Sequence, residues 1–175
     1  FFKLFAAACF GIVACMPFVF PLLVNVKYNA AYNQILILMY AMLFRVLVGL
    51  YSCIYVAQKS TKKMASTTIS AAVINIVVNL FLINKIQIFA ASLSTLVAFF
   101  SMFIVRYIDV NKTVQMRLKK SVVIGSCVIG GMLMGTHYCD NKVIQFIALC
   151  VTIIYAVLTN ADIIKSSINI VRKRI

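Results

Sequence analysis

Apolar residues in this chain come in runs of 17 to 23 with almost no charge inside them: residues 4–24, 35–57, 67–83, 88–107, 121–138 and 143–160. An α-helix rises 1.5 Å per residue, so about 20 apolar residues cross the roughly 30 Å hydrocarbon layer of a bilayer. Folding such runs in water would leave far more apolar surface than one core can bury. The composition agrees, with 64% hydrophobic residues, 11% charged residues and a mean hydropathy of +1.05. The expected fold is therefore all-α: a polytopic membrane protein whose six transmembrane helices form one bundle over residues 1–160, followed by a basic tail, 161–175. The opening FFK, without Met or a cleavage-site pattern, reads as the cut edge of a longer protein and not as a signal peptide.

The charges predict an orientation. Lys3, Lys59, Lys62, Lys63, Arg106, Lys112, Arg117, Lys119, Lys120, Lys165, Arg172, Lys173 and Arg174 fall on one side of the six runs, and only Lys27, Lys85 and Lys142 on the other. The positive-inside rule then puts both ends of the chain in the cytoplasm. The same clustering at the ends of apolar runs argues against nucleic acid as the partner of a chain with net charge +14; membrane lipids account for it. The tail places Ile164, Ile168, Val171 and Ile175 at helical spacing among its cations, which suits either an interfacial helix or a short frayed terminus.

Catalytic chemistry finds little to work with. Five of the six cysteines lie inside apolar runs, only Cys139 falls in a connecting segment, and there is one histidine, His137, so neither a metal set nor a disulfide framework can be assembled. Phosphate loops and nucleophile elbows are missing from the sequence. His137 and Asp140, close together at the outer end of the fifth run, are the only pair an embedded enzyme could recruit. No cofactor and no catalytic residue is expected.

In lipid, small and hydrogen-bonding residues mark the faces that meet protein or water. The first run carries Ala7, Gly11 and Ala14, with kinks expected at Pro17 and Pro21. The second aligns Ala41, Arg45, Gly49 and Ser52, and the third Thr68, Ala72, Asn75 and Asn79. The fourth aligns Ala91, Ser94, Thr95, Ala98 and Ser101; the fifth has Gly131 and Gly135 as a GxxxG pair; the sixth offers Gln145, Thr152, Tyr155 and Thr159. Helix packing explains most of these. Asn75 and Asn79 suit either an interhelical hydrogen-bond clamp or the lining of a polar cavity. Arg106 and Tyr107, at the end of the fourth run, read as interface anchors, and Lys27 with its neighbouring tyrosines and asparagines as a solvated loop that could also receive polar cargo.

Arg45 is the exception to the charge pattern. It stands about 15 Å from either end of its run, beyond comfortable snorkelling distance, and is expected to point into the bundle. The acids Asp109, Asp140 and Asp162 all lie at or beyond span ends, so none can pair with it at depth. Two readings remain: a structural network of neutral acceptors, or a water-accessible position that meets an anionic substrate, for which phosphate suits the planar guanidinium best.

The link YNAAYNQ (28–34), the segment AQKSTKK (57–63) leading into INIVVNLFLI (74–83), and IFAASLSTLVAFF (88–100) after a tight turn together resemble the C-terminal half of bacterial polysaccharide or O-antigen flippases, of the multidrug/oligosaccharidyl-lipid/polysaccharide exporter superfamily. Where members of that family tend to have Gly-Ala-Ala followed by Ala-Thr, this chain has Ala90, Ala91, Ser92, Leu93, Ser94 and Thr95. The resemblance implies one lobe of a two-lobe transporter in the bacterial cytoplasmic membrane, partnered by an N-terminal six-helix lobe and moving undecaprenyl-diphosphate-linked oligosaccharide to the outer leaflet. Arg45, Asn75, Asn79 and Lys27 would then line the substrate cavity. A drug or lipid exporter of the same superfamily, or a membrane-embedded glycan-modifying enzyme, are the alternatives.

Overall fold

The computed structural model describes the backbone of residues 2–23, 29–113, 120–137 and 141–172, and nearly all of it is helical. Lys27 lies outside the described residues, as do the side chains of His137 and Asp140 and of residues 161–175. Six helices follow in order: α1 (Phe2–Leu23), α2 (Asn29–Ala57), α3 (Thr61–Ile86), α4 (Ile88–Asn111), α5 (Lys120–His137) and α6 (Lys142–Arg172).

Five of them are long and apolar enough to cross a membrane: Lys3–Leu22, Ala31–Ala57, Thr61–Ile86, Ile88–Asn111 and Lys142–Asn160. Several side chains of α5 lie outside the described residues, and α5 is not counted among these five. Large side chains such as Leu22, Leu80, Phe81 and Leu158 are exposed, as expected where the surrounding solvent is lipid. The chain is a membrane-embedded all-α protein.

The helices outrun the apolar segments that predict them. The polar stretch Asn29–Gln34, expected as loop, forms the first turns of α2, and α3 takes in Thr61–Ser66. Hydropathy reports where the hydrocarbon begins, whereas a helix ends only where its backbone finds other partners. After α2 those partners form a Schellman motif: Ser60 N–H donates to Tyr55 O at 2.8 Å and Lys59 N–H to Val56 O at 3.0 Å, with Lys59 at φ 55° in the position that usually takes glycine. Only Gln87 separates α3 from α4. It turns the chain at φ 45° and ψ −117°, again a conformation glycine adopts far more readily.

The chain divides into two compact units: Phe1–Asn25 with Leu118–Ile175, and Val26–Arg117. In the first, α1 packs mainly on α6, with Phe18 edge-on to Phe146 at 6.4 Å. Gly125 of α5 lets the Tyr155 side chain approach so closely that a Cβ there would stand 3.2 Å from both its Cε2 and its hydroxyl oxygen. Gly131 and Gly135 are different. A Cβ at either meets nothing within 4 Å, so the GxxxG pair makes no close helix contact among the described residues.

In the second unit α4 is the central element, with α2 and α3 packed against it and touching each other little. Val48, Ala71 and Met102 form one small apolar cluster; Tyr51, Tyr55 and Val110 form another. Small residues Ala90, Ser94 and Ala98, one turn apart, are all buried along α4. The hydroxyls of Ser94, Thr95 and Ser101 donate back to carbonyls of their own helix at 2.8–3.0 Å, so the polar stripe of α4 is satisfied internally.

Candidate functional site

The register of the second unit decides which polar side chains can meet. Arg45 faces Phe99, Ser52 faces Arg106, and Tyr55 faces Asp109, each pair 54 residues apart, so α2 and α4 run parallel. On α3, Lys63 meets Asp109, Thr67 meets Arg106 and Ala71 packs with Met102, a separation that shrinks toward Gln87 and marks an antiparallel hairpin. Residues Thr95, Phe99, Met102 and Arg106 therefore form the stripe of α4 that looks between α2 and α3.

Arg106 closes one end of that stripe. Its side chain is 2% exposed, and all five of its N–H groups find acceptors. Nε donates to Thr67 Oγ1 at 3.0 Å. One terminal nitrogen donates to Val48 O at 3.3 Å and to Ser52 Oγ, and the other to Met64 O at 3.1 Å and Thr68 Oγ1 at 3.0 Å. The three hydroxyls are poised for this because each spends its own proton on a helix carbonyl: Ser52 on Val48 O, Thr67 and Thr68 on Met64 O, at 2.8–2.9 Å. Their lone pairs are left for the guanidinium. Its carbon also stands 5.8 Å from the centre of the Tyr55 ring, whose hydroxyl donates to Asp109 Oδ2 at 2.9 Å. Lys63 Nζ closes the chain of charges on Asp109 Oδ1 at 3.2 Å.

This corrects the reading of Arg106 as an interface anchor. A side chain one residue from the end of its apolar run is within snorkelling reach of water, which makes that reading the default. Arg106 turns inward instead, because α2 and α3 bring hydroxyls and carbonyls to it. Ser52 and Thr68 stand on the small-polar stripes of their helices, so the signal was present, but matching them to Arg106 needs the 54-residue register, which no local pattern carries.

Arg45 has the opposite environment. It lies seven residues before Ser52, about 10 Å further along the membrane normal, and its side chain is exposed, not packed within the three helices. Its partner among the described residues is the face of Phe99, 5.7 Å from guanidinium carbon to ring centre. On α3, Asn75 stands seven residues beyond Thr68 and so occupies nearly the same depth as Arg45; Asn79 is one turn further. Both asparagines are half-buried, and neither makes a side-chain hydrogen bond with a described residue, so the interhelical clamp is not formed here. Beyond the Arg106 cluster and the Val48–Ala71–Met102 layer, Arg45 on α2 and Asn75 and Asn79 on α3 thus stand at neighbouring levels on the two helices that flank α4.

The first unit offers less. Thr152 is buried and donates to Ala148 O at 2.7 Å. Val13, Pro17, Thr136 and Gln145 border a void of about 10 Å³, room for a single water, beside the carbonyl that Pro17 deprives of its helical donor. No group of three or more His, Cys, Asp or Glu side chains occurs among the described residues. Compared with protein-family models, with curated proteins and with solved structures, the chain matches none.

Proposed function

We propose that this chain is the C-terminal lobe of a flippase that moves undecaprenyl-diphosphate-linked oligosaccharide across the bacterial cytoplasmic membrane. In this reading α5 is a sixth crossing, both ends lie in the cytoplasm, and a second six-helix lobe completes the transport path. The chain moves its substrate without altering it. One observation carries the proposal: the two arginines of the three-helix unit are unequal. Arg106 has every donor engaged by protein, whereas Arg45, at mid-span, has only an aromatic face among the described residues. A guanidinium left unpaired at that depth is costly unless water or an anion reaches it. A lipid diphosphate suits its paired N–H groups, Phe99 supports the guanidinium from beneath, and Asn75 and Asn79 supply amides to hydroxyls.

The test replaces Arg45 by Ala and by Lys in the full-length protein and follows export of surface glycan. Loss of a charge-assisted contact worth about 1.5–3 kcal/mol slows export roughly ten- to a hundredfold in Arg45→Ala. Arg45→Lys keeps the charge without the fork and retains part of the rate. Normal export in both variants would remove Arg45 from the mechanism and the proposal with it.

A further inference from the structure

The end of the second unit nearest Arg106 carries a collar of cations that bears on orientation but takes no part in handling the transported substrate. Span α2 ends at Ala57, α3 starts at Thr61 and α4 ends at Asn111, so three apolar helices terminate together at this level. Lys59, Lys62, Lys63 and Lys112 surround those ends, and all four are exposed. The opposite end, at the α3–α4 turn, has Lys85 alone among the described residues.

The four lysines are not equivalent. Asp109 holds Lys63 at 3.2 Å, and Tyr55 holds Asp109 in turn. Lys59, Lys62 and Lys112 have no ion pair among the described residues. Arg106 lies beneath them but is buried with its donors spent. Nor do the lysines serve their own helix: Lys62 and Lys63 stand in the first turn of α3, where the helix dipole disfavours positive charge. Lys59 is held outward by the Schellman turn at φ 55°.

We infer that Lys59, Lys62 and Lys112 form a docking surface for anionic phospholipid headgroups, with Asp109 withholding Lys63 from it. A lipid is the occupant because the ammonium groups sit at the level where the apolar helices end, which is where headgroup phosphates lie, while their stems stay against the apolar rim. The attraction is electrostatic and acts over about a Debye length, so it selects headgroup charge and is screened by salt. It depends on these helices crossing a membrane and is independent of what the protein transports.

The test reconstitutes the full chain into phosphatidylcholine bilayers and measures, by electron spin resonance, how strongly spin-labelled phosphatidylglycerol and phosphatidylcholine associate with it. The wild type is expected to retain the anionic lipid about fivefold more strongly, the scale of one lysine at an anionic surface, with the preference shrinking toward unity in molar salt. The triple variant K59Q/K62Q/K112Q loses the preference, K59R/K62R/K112R keeps it, and K85Q leaves it unchanged. An unselective wild type, a selective triple Gln variant, or equal loss in K85Q would overturn the assignment. So would loss of the preference in inorganic phosphate but not in chloride of equal ionic strength, which would make this a site for soluble phosphate.

Discussion

Replacing Arg106 tests the reading of the three-helix unit most directly, because the structure sets different costs for different substitutions. Five hydrogen bonds end on this guanidinium, and side-chain bonds between membrane helices contribute on average about 0.6 kcal/mol each. Arg106→Met should therefore cost about 3 kcal/mol, and no more. Ser52, Thr67 and Thr68 keep their own carbonyl partners when the arginine goes, so no buried hydroxyl proton is stranded. Arg106→Lys should be no better than Met. An ammonium has three donors where the guanidinium has five, and it still requires a buried charge to be satisfied by a shell spaced for a planar fork. Unfolding of the purified chain by sodium dodecyl sulfate in bicelles measures both. A lysine variant as stable as wild type would refute the argument from geometry. A methionine variant within about 0.5 kcal/mol of wild type would show that the five contacts add nothing net.

Gln87→Gly removes a side chain from a backbone at φ 45° and should stabilise the α3–α4 hairpin by about 1 kcal/mol, read as a higher unfolding midpoint. Tyr51→Phe should be neutral or stabilising, because the buried Tyr51 hydroxyl has no hydrogen-bond partner among the described residues; a loss above about 1 kcal/mol in the same assay would reveal one. Asp109→Ala leaves the Tyr55 hydroxyl stranded and should cost about 1–3 kcal/mol, whereas Lys63→Ala removes a pair whose lysine is 62% exposed and should cost less than about 1 kcal/mol. In α5, Gly125→Val should be destabilising by at least about 1 kcal/mol through the Tyr155 ring, while Gly135→Ala should not be destabilising; equal effects would mean that the two glycines share one environment.

The positions and type of the helices were legible from apolar run length alone, because a bilayer imposes that length on any segment that crosses it. Their ends were not: Asn29–Gln34 and Thr61–Ser66 are polar and still helical, since nothing at the edge of the hydrocarbon obliges the backbone to stop. For the site, the sequence singled out Arg45, Asn75 and Asn79 by their cost in lipid; Arg45 is exposed on α2 and the two asparagines are half-buried on α3. It did not show that Arg45 leans on Phe99 instead of turning into the bundle, nor that Arg106 is the enclosed cation. Both depend on how α2 and α4 lie in register, and that is fixed by contacts between residues more than 50 positions apart. The Gly131–Gly135 pair shows the converse, a familiar pattern that packs against no described neighbour.

The direction in which Ser52, Thr67 and Thr68 spend their protons bears on how the chain is assembled during synthesis. α2 and α3 leave the ribosome before α4, and each must tolerate hydrocarbon before its arginine has arrived. Because the three hydroxyls are content on their own helices, a nascent chain that has reached only Ile86 exposes none of these hydroxyl protons to lipid. Arg106 then arrives with α4 and draws acceptors from two helices that barely touch each other.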